Sequence, residues 1–289
     1  MLRLLSRSKK HLKPTQGDGL PAPVNVSHSE GGPEMGFLDH LEELRWHIIK
    51  GGAGIVAGMV VCGIFSEFVM HQLLLGPARS DFFVYQWLGL TIPSIDLQNR
   101  TITGQFFAYW GTIFIAGLTL GLPVVIYQFW RFIEPGLYPH EKSGMRFVAW
   151  FVTFFFILGV VFGYSVLMPM SLQFFARFSI SETITNQFDI SAYFDMLFAS
   201  IMGTGMLFEL PVVVYALSKL RIVTPDLLRR QRRMALVVIL ILAALITPST
   251  DMISQIIVAI PLMLLYELSI QISAYVNKKE EEATRKALA

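Results

Sequence analysis

The sequence predicts an all-α integral membrane protein with six transmembrane helices, of which the fifth and sixth are short. Hydrophobic residues make up 54% of the chain and charged residues only 15%, a balance typical of a polytopic membrane protein. Two stretches, residues 106–130 and 147–168, run for 25 and 22 residues without a charge. Each exceeds the ~20 residues that a helix needs to cross a bilayer.

The first 34 residues differ from the rest of the chain. They contain four prolines, several glycines and serines and a basic start, and they lack the apolar core of a cleavable secretory signal. We therefore expect residues 1–34 to be a disordered cytoplasmic tail, residues 35–276 to be the membrane domain, and residues 277–289 to be a charged cytoplasmic tail.

The first predicted helix begins near residue 37, where apolar residues recur at spacings of three and four with charged residues between them. This pattern is typical of an amphipathic helix lying on a membrane. It leads into a first span at residues 46–66, whose glycines would let another helix approach closely. These glycines are Gly51, Gly52, Gly54 and Gly58.

The middle of the chain contains three further predicted spans. Residues 69–103 carry aromatic residues between turn residues, which predicts an ordered loop with aromatics at the membrane interface. The two uncharged runs form the second and third spans, and the polar segment 131–142 between them is a hinge with two prolines. Residues 169–189 are predicted to be a loop and residues 191–217 to be the fourth span.

The last two predicted spans, residues 234–246 and 252–266, are unusually short. At about 1.5 Å per residue neither reaches across a hydrocarbon core of ~30 Å. Such a mismatch favours local thinning of the bilayer, recruitment of a partner helix, or both. We therefore expect a partner near the end of the chain.

The distribution of basic residues predicts the orientation. With six spans, 20 of the 23 lysines and arginines fall on the side that holds both termini and the hinge. The opposite side holds only Arg79, Arg100 and Arg177. By the positive-inside rule, both termini and the hinge are cytoplasmic.

Catalytic and metal-binding patterns are missing from the sequence. It has no glycine-rich nucleotide loop, no paired zinc-protease histidines and no nucleophile elbow. Its six histidines are scattered, and its one cysteine, Cys62, falls in an apolar segment. We expect no enzyme activity, no metal and no cofactor.

Four motifs in order along the chain resemble those of TatC, the multispanning receptor of the twin-arginine protein translocase. They are His-Leu-Glu-Glu-Leu-Arg at 40–45, His-Glu-Lys at 140–142, Phe-Glu-Leu-Pro at 208–211, and a segment at 247–255 that begins Thr-Pro and ends Asp-Met-Ile-Ser-Gln. The resemblance covers about residues 35–273. It departs in the 34-residue N-terminal extension and at Glu134, where an uncharged residue is common in the family.

The resemblance implies a function in protein export. A TatC-like protein of the bacterial cytoplasmic (inner) membrane would bind signal peptides that carry two consecutive arginines. It would assemble with itself and with single-span membrane proteins of the TatA and TatB type, in contact with membrane lipid and without nucleic acid. Folded proteins would then cross on the proton-motive force.

The resemblance assigns the signal-peptide site to Glu43, Arg45, Phe132 and Glu141. The residue chemistry agrees, because an arginine fork pairs bidentately with a carboxylate, and two adjacent arginines require two carboxylates on a rigid surface. Glu43 and Glu141 come from separate elements and can supply them. The alternative for Glu43, taken alone, is that it lies on a solvated helix face or forms an internal pair with Arg45.

Three further polar residues fall within or at the ends of predicted spans. Glu209 lies deep in the fourth span, where acids are rare and usually functional, although a structural hydrogen bond is the alternative. We expect Glu209 to face a partly hydrated groove, either protonated or bonded to a partner's polar group. Asp251 and Gln255 match positions tied to partner contact in the family, and an interfacial turn with a helix start is their alternative.

A proton-coupled secondary transporter that uses Glu209 is the main rival function. Proline-containing spans and the similar segments 122–127 and 210–215 favour it. The short fifth and sixth spans argue against it, because a transporter needs a substrate site at the midplane. Preferential binding of a twin-arginine peptide over a twin-lysine peptide would separate the two functions.

Overall fold

The computed structural model describes residues 37–90, 95–133, 145–181, 183–247 and 252–288. The chain divides into two compact units, Met1–His40 and Leu41–Ala289. Only the start of the first helix is described in the first unit, and the predicted tail at residues 1–34 lies outside the described residues. The second unit contains the apolar helices.

The described chain is almost entirely helical. Its helices are α1 (Phe37–Ile64), α2 (Phe83–Leu88), α3 (Gly104–Ile133), α4 (Met145–Phe162), α5 (Met168–Arg177), α6 (Ile190–Leu207), α7 (Leu210–Lys219), α8 (Pro225–Arg230), α9 (Arg232–Ile246) and α10 (Met252–Leu288). Two short strands, β1 (Leu97–Gln98) and β2 (Phe188–Asp189), pair in parallel. A π-helical turn, Phe68–Leu74, follows α1, and a second one, Gly163–Leu167, joins α4 to α5.

Five segments of the described chain are long and apolar enough to cross a membrane. They are Leu41–Ile64, Gly104–Phe129, Trp150–Arg177, Ile190–Lys219 and Ser254–Lys279. The prediction of an α-helical, multi-pass membrane protein is confirmed. The predicted fifth span corresponds to α9, which has only 15 residues, or about 22 Å of helix.

The third membrane-spanning segment is longer than the sequence predicts, and part of the expected loop at residues 169–189 is helix. The π-helical turn after α4 leads directly into α5, which ends at Arg177. Pro169 does not stop the chain from continuing as helix, because it occupies the first turn of α5, where a missing backbone N–H is tolerated.

The prediction of a short sixth span is wrong, because the segment of α10 that is long and apolar enough to cross a membrane runs from Ser254 to Lys279, within a 37-residue helix. The charge of Glu267 suggests an end at residue 266, but its carboxylate accepts a hydrogen bond from Arg232 at 2.8 Å. Beyond it, the buried hydroxyls of Ser273 and Ser218 lie 2.8 Å apart and join α10 to α7. Polar groups on this helix are thus satisfied by its neighbours, and the helix does not end at the first charge.

The described part of segment 69–103 is ordered, as predicted, but two of its aromatic residues are buried. Phe82 and Tyr85 are 7% and 2% exposed, whereas Phe83 and Trp87 face outward. The Tyr85 hydroxyl donates a hydrogen bond to the Pro77 carbonyl. The segment packs on α6 and α5 in one apolar cluster, so it forms a cap on these helices.

Glycines bring α1 and α3 close together along their length. A Cβ atom at Gly58 would lie 2.4 Å from the Gly117 carbonyl oxygen, and one at Gly121 would lie 2.6 Å from the Ile55 Cα. The expected close approach of a second helix to α1 is therefore observed, although Gly52 does not take part, since a Cβ there would meet no atom within 4 Å. This contact sets the register of the two helices.

Candidate functional site

The candidate site lies where α1, from Glu43 to His47, meets the last turns of α3. The contact of Gly58 with Gly117 fixes the register of these antiparallel helices. Towards the start of α1, the same register brings His47 beside Gln128, which is 81 residues away in the sequence. Two apolar helices thereby form a polar contact with each other.

His47 is the centre of this contact. Its Nδ1 lies 2.8 Å from the Gln128 Oε1, and its ring meets the Phe132 ring edge-on, with 6.2 Å between centroids. Its side chain is only 12% exposed. The imidazole is therefore held by the last turns of α3.

Glu43 lies one turn before His47 on α1 and is one-third exposed. Its Oε1 is 3.9 Å from the His47 Nε2, beyond hydrogen-bonding distance. Its Oε2 is buried and has no hydrogen-bond partner among the described residues. Because a buried carboxylate oxygen without a donor costs free energy, this acid would gain from a donor on a ligand.

Arg45 makes its contacts on the exposed side of α1. Its Nη2 donates to the Glu42 Oε1 at 3.0 Å, and both side chains are mostly exposed. Its guanidinium also lies over the Trp46 ring, 5.8 Å from the centroid. The structure thus pairs Arg45 with Glu42, and the internal pair with Glu43 considered from the sequence is not formed.

Two predicted site residues, Glu141 and Asp251, lie outside the described residues, as does Glu134. Of the remaining residues predicted for the signal-peptide site, Glu43 and Phe132 approach the same imidazole from two helices. The candidate site within the described chain therefore consists of Glu43, His47 and Phe132.

Glu209 occupies the break between α6 and α7, within the fourth apolar segment. α6 ends at Leu207, and Pro211 in the first turn of α7 has no backbone N–H to donate. Both carboxylate oxygens of Glu209 are buried and have no hydrogen-bond partner among the described residues. The structural hydrogen bond considered from the sequence is therefore not formed within the described chain.

Gln255 joins the last two helices. Its Nε2 donates to the Leu240 carbonyl of α9 at 2.9 Å. The packing of α9 is otherwise one-sided, since Ile239 and Ala243 are buried while Ile241 is exposed. Helix α9 therefore presents an uncovered apolar face.

Sequence reasoning missed His47 and Gln128. A single histidine does not match any metal-ligand spacing, so it did not stand out in the sequence. The described residues also contain no group of three metal-ligating side chains. The sequence does contain a signal that identifies both residues, which is a spacing of four. It puts His47 on the helix face of Glu43 and Gln128 on the helix face of Phe132.

Comparison with known proteins places the chain among translocase components. It matches the family model described as Sec-independent protein translocase protein (TatC) over residues 39–261. It is 38% identical over 261 residues to the TatC protein of Blattabacterium sp. subsp. Periplaneta americana (strain BPLAN), across 86% of this chain and 98% of that relative. It is 34% identical over 258 residues to the TatC protein of Deinococcus radiodurans, across 88% and 92% of the two chains.

Solved structures give the same result. A crystal structure of the twin arginine translocase receptor TatC superimposes with a TM-score of 0.66 at 29% identity, and the match covers 82% of this chain and 99% of that one. A second crystal structure of TatC, in DDM, matches with the same TM-score and identity over 81% of this chain.

Proposed function

This chain belongs to the TatC family of Sec-independent protein translocase proteins, and on that basis we propose that it is the signal-peptide receptor of a twin-arginine translocase. It binds twin-arginine signal peptides at its cytoplasmic face and organises partners of the TatA and TatB type. Folded cargo proteins then cross the membrane on the proton-motive force. The protein acts as a transport component and not as an enzyme, and it uses no cofactor.

The observation that carries this proposal is the carboxylate of Glu43, which has a buried oxygen without a donor among the described residues. An arginine guanidinium offers five N–H donors in a planar fork and binds a carboxylate through two parallel hydrogen bonds. It also stacks on aromatic rings, and Phe132 lies against the same imidazole as Glu43. Glu43 and Phe132 together suit one arginine of a signal peptide.

The second arginine is assigned to Glu141 on the family resemblance. Glu141 comes after the end of α3 in the sequence, and Phe132 lies in the last turn of that helix. Two carboxylates on separate elements would require two correctly spaced guanidinium groups. Arg45, held by Glu42 on the exposed side of α1, is proposed to border the same surface.

Six spans with both termini in the cytoplasm are the topology that this proposal requires. Five segments of sufficient length are present in the described chain, and the short helix α9 lies between the fourth and the last of them in sequence. The 20 basic residues on one side support a cytoplasmic location for that side, in a bacterial inner membrane.

Partner helices are proposed to bind at α9 and at the break between α6 and α7. Helix α9 has an uncovered apolar face and is too short to cross the hydrocarbon core alone. The carboxylate of Glu209 lacks a donor among the described residues, and a polar group on a partner helix would supply one. Asp251 and Gln255, near the joint of α9 and α10, are proposed to belong to the same contact.

The family assignment does not support the alternative of a proton-coupled transporter that uses Glu209. No observation on the described residues favours a midplane substrate site over a partner contact at this acid.

Equilibrium binding to the detergent-solubilised protein tests the proposed function. A twin-arginine signal peptide should bind at least about ten-fold more tightly than its twin-lysine counterpart, because a lysine ammonium cannot form the bidentate pair. Equal affinities for the two peptides would contradict the proposal.

A further inference from the structure

We propose that Arg230 and Arg233, at the junction of α8 and α9, bind the phosphate of an anionic membrane phospholipid. Both belong to a basic cluster whose other members find acids within the chain, and the junction lies further inside the helix bundle than the end of α7. The proposal goes beyond peptide recognition and does not depend on it.

The junction of α8 and α9 carries four arginines, at positions 229, 230, 232 and 233. The Nη1 of Arg229 is 3.5 Å from the Oδ1 of Asp226. The Nη2 of Arg232 donates to the Oε2 of Glu267 on α10 at 2.8 Å. Residues 219–233 contain six basic residues and one acid, so the cluster keeps a net positive charge after these pairs have formed.

Arg230 and Arg233 are the two arginines of this junction that have no such partner. Both are exposed, and neither makes a hydrogen bond or an ion pair within the part of the chain that the structure describes. The junction is held in place, because the Tyr266 hydroxyl of α10 donates to the Leu228 carbonyl of α8 at 2.8 Å. Like charges three residues apart repel each other, so an anion bound between them stabilises the junction.

Contacts with α10 show how far inside the bundle this junction lies. The end of α7 is level with Ser273, because the Ser218 and Ser273 hydroxyls lie 2.8 Å apart. The start of α9 is level with Glu267, which accepts the hydrogen bond from Arg232. From Glu267 to Ser273 the helix rises by about 9 Å. The arginines at the start of α9 therefore lie about one and a half helical turns short of the level at which the fourth apolar segment ends.

A lipid headgroup is the anion that this position favours. Val237, one turn after Arg233 on the same face of α9, is 50% exposed, so apolar surface adjoins the guanidinium. A charged side chain beside apolar surface extends towards headgroups and water. A phospholipid matches both features, because its phosphate accepts parallel hydrogen bonds from a guanidinium and its acyl chain covers the apolar face. The net positive charge of the cluster favours an anionic headgroup over a zwitterionic one.

Helix α9 has room for this lipid beside the proposed partner helix. Arg233 and Val237 share one face of the helix. A second exposed face is formed by apolar residues at spacings of three and four, namely Met234, Val238, Ile241 and Leu245. The lipid and the partner helix are therefore assigned to different faces.

Binding of fluorescent phosphatidylglycerol to the purified full chain in a neutral detergent tests the proposal. The wild type should bind this anionic lipid at least about ten-fold more tightly than phosphatidylcholine, which is zwitterionic. The double variant Arg230→Gln with Arg233→Gln should lose roughly ten-fold in affinity for phosphatidylglycerol, because it loses charge-assisted hydrogen bonds to phosphate. The double variant Arg230→Lys with Arg233→Lys keeps both charges and should bind within about three-fold of the wild type.

Lys278 and Lys279 provide the matched control, since they are two exposed cations near the end of α10. The double variant Lys278→Gln with Lys279→Gln removes the same charge and should bind phosphatidylglycerol within about three-fold of the wild type. Thermal unfolding of each purified variant reports whether the protein remains folded.

Wild-type affinity in the double glutamine variant at 230 and 233 would overturn the proposal. An equal loss in the lysine control would do the same, because net charge and not the junction would then explain the effect. Equal affinity of the wild type for the two lipids would assign the cluster to an acidic partner in the aqueous phase and overturn the lipid site. So would displacement of the lipid by an equal concentration of soluble glycerol 3-phosphate. If the double glutamine variant does not purify, wild-type affinity in both Arg230→Gln and Arg233→Gln overturns the proposal.

Discussion

The Nδ1 of His47 lies 2.8 Å from the Oε1 of Gln128, in a part-buried contact that joins α1 to α3. The bond holds the imidazole between the Glu43 carboxylate and the Phe132 ring. The geometry of the candidate site therefore depends on a residue that would not touch the ligand.

Replacement of Gln128 by leucine should weaken both the helix contact and the site. Gln128→Leu leaves the His47 Nδ1 without its acceptor, and the protein should lose about 1 kcal/mol of stability. Affinity for a twin-arginine peptide should fall roughly three- to ten-fold, because the imidazole beside Glu43 is no longer held in place by α3. Thermal unfolding and peptide titration of the solubilised protein measure the two effects.

Gln105 at the start of α3 is exposed and serves as the control. Gln105→Leu should change neither the thermal midpoint nor the affinity. If Gln128→Leu behaves in the same way as this control, the bond to His47 does not support the site.

A methyl group at Gly58 should force α1 and α3 apart. The new Cβ would lie 2.4 Å from the Gly117 carbonyl oxygen, and a backbone atom cannot move aside as a side chain can. Gly58→Ala should therefore cost about 1–3 kcal/mol of stability. Gly52→Ala on the same helix meets no atom within 4 Å and should be neutral or slightly stabilising. Equal unfolding midpoints for the two variants would refute the close contact.

The contact of α1 with α3 shows how much of the site can be predicted from the sequence. The apolar length of each span and the glycines of α1 are local properties of the chain, so both helices and their close approach were predictable. The pairing of His47 with Gln128 depends on the register of two distant helices, which is set by the contact of Gly58 with Gly117. No local pattern specifies that register.

The last helix shows the opposite case, in which a local rule gives the wrong boundary. A charge at Glu267 marks the end of an apolar run, but Arg232, 35 residues earlier, pairs with it. Whether a charge ends a membrane helix depends on its partner, and that partner is found only in the folded chain.

The orientation can be tested with fusions of alkaline phosphatase, which is active only outside the cytoplasm. Fusions after Gly89 or Ile180 should be active, because these positions fall on the side poor in basic residues. Fusions after Gly136, Pro225 or Ala289 should be inactive. Activity at Gly136 would overturn the orientation and with it the cytoplasmic location of the peptide site.

Substitutions of Glu209 should separate partner assembly from peptide recognition. Both its oxygens are buried without a donor among the described residues. Glu209→Gln keeps the shape and the hydrogen-bonding capacity of the side chain. Its effect on transport should therefore be mild if a neutral side chain is required. Glu209→Ala should impair transport of a folded reporter while peptide affinity stays within about three-fold of the wild type, because no hydrogen bond among the described residues links the Glu209 carboxylate to Glu43 or His47.

Glu67, an exposed acid after α1, is the control for this experiment, and Glu67→Ala should transport normally. Normal transport by Glu209→Ala would leave Glu209 as a tolerated residue without a role in assembly.

The most direct test of the account is the affinity of a twin-arginine peptide for the wild type, Glu43→Ala and Glu141→Ala. If each carboxylate binds a guanidinium, each substitution removes charge-assisted hydrogen bonds worth ~1.5–3 kcal/mol, and Kd should rise roughly ten- to a hundred-fold. Glu134→Ala, at a hinge position that the family resemblance does not mark, should bind like the wild type, and all variants should purify normally. Equal peptide affinity across the wild type and the variants at Glu43 and Glu141 would contradict the proposed site.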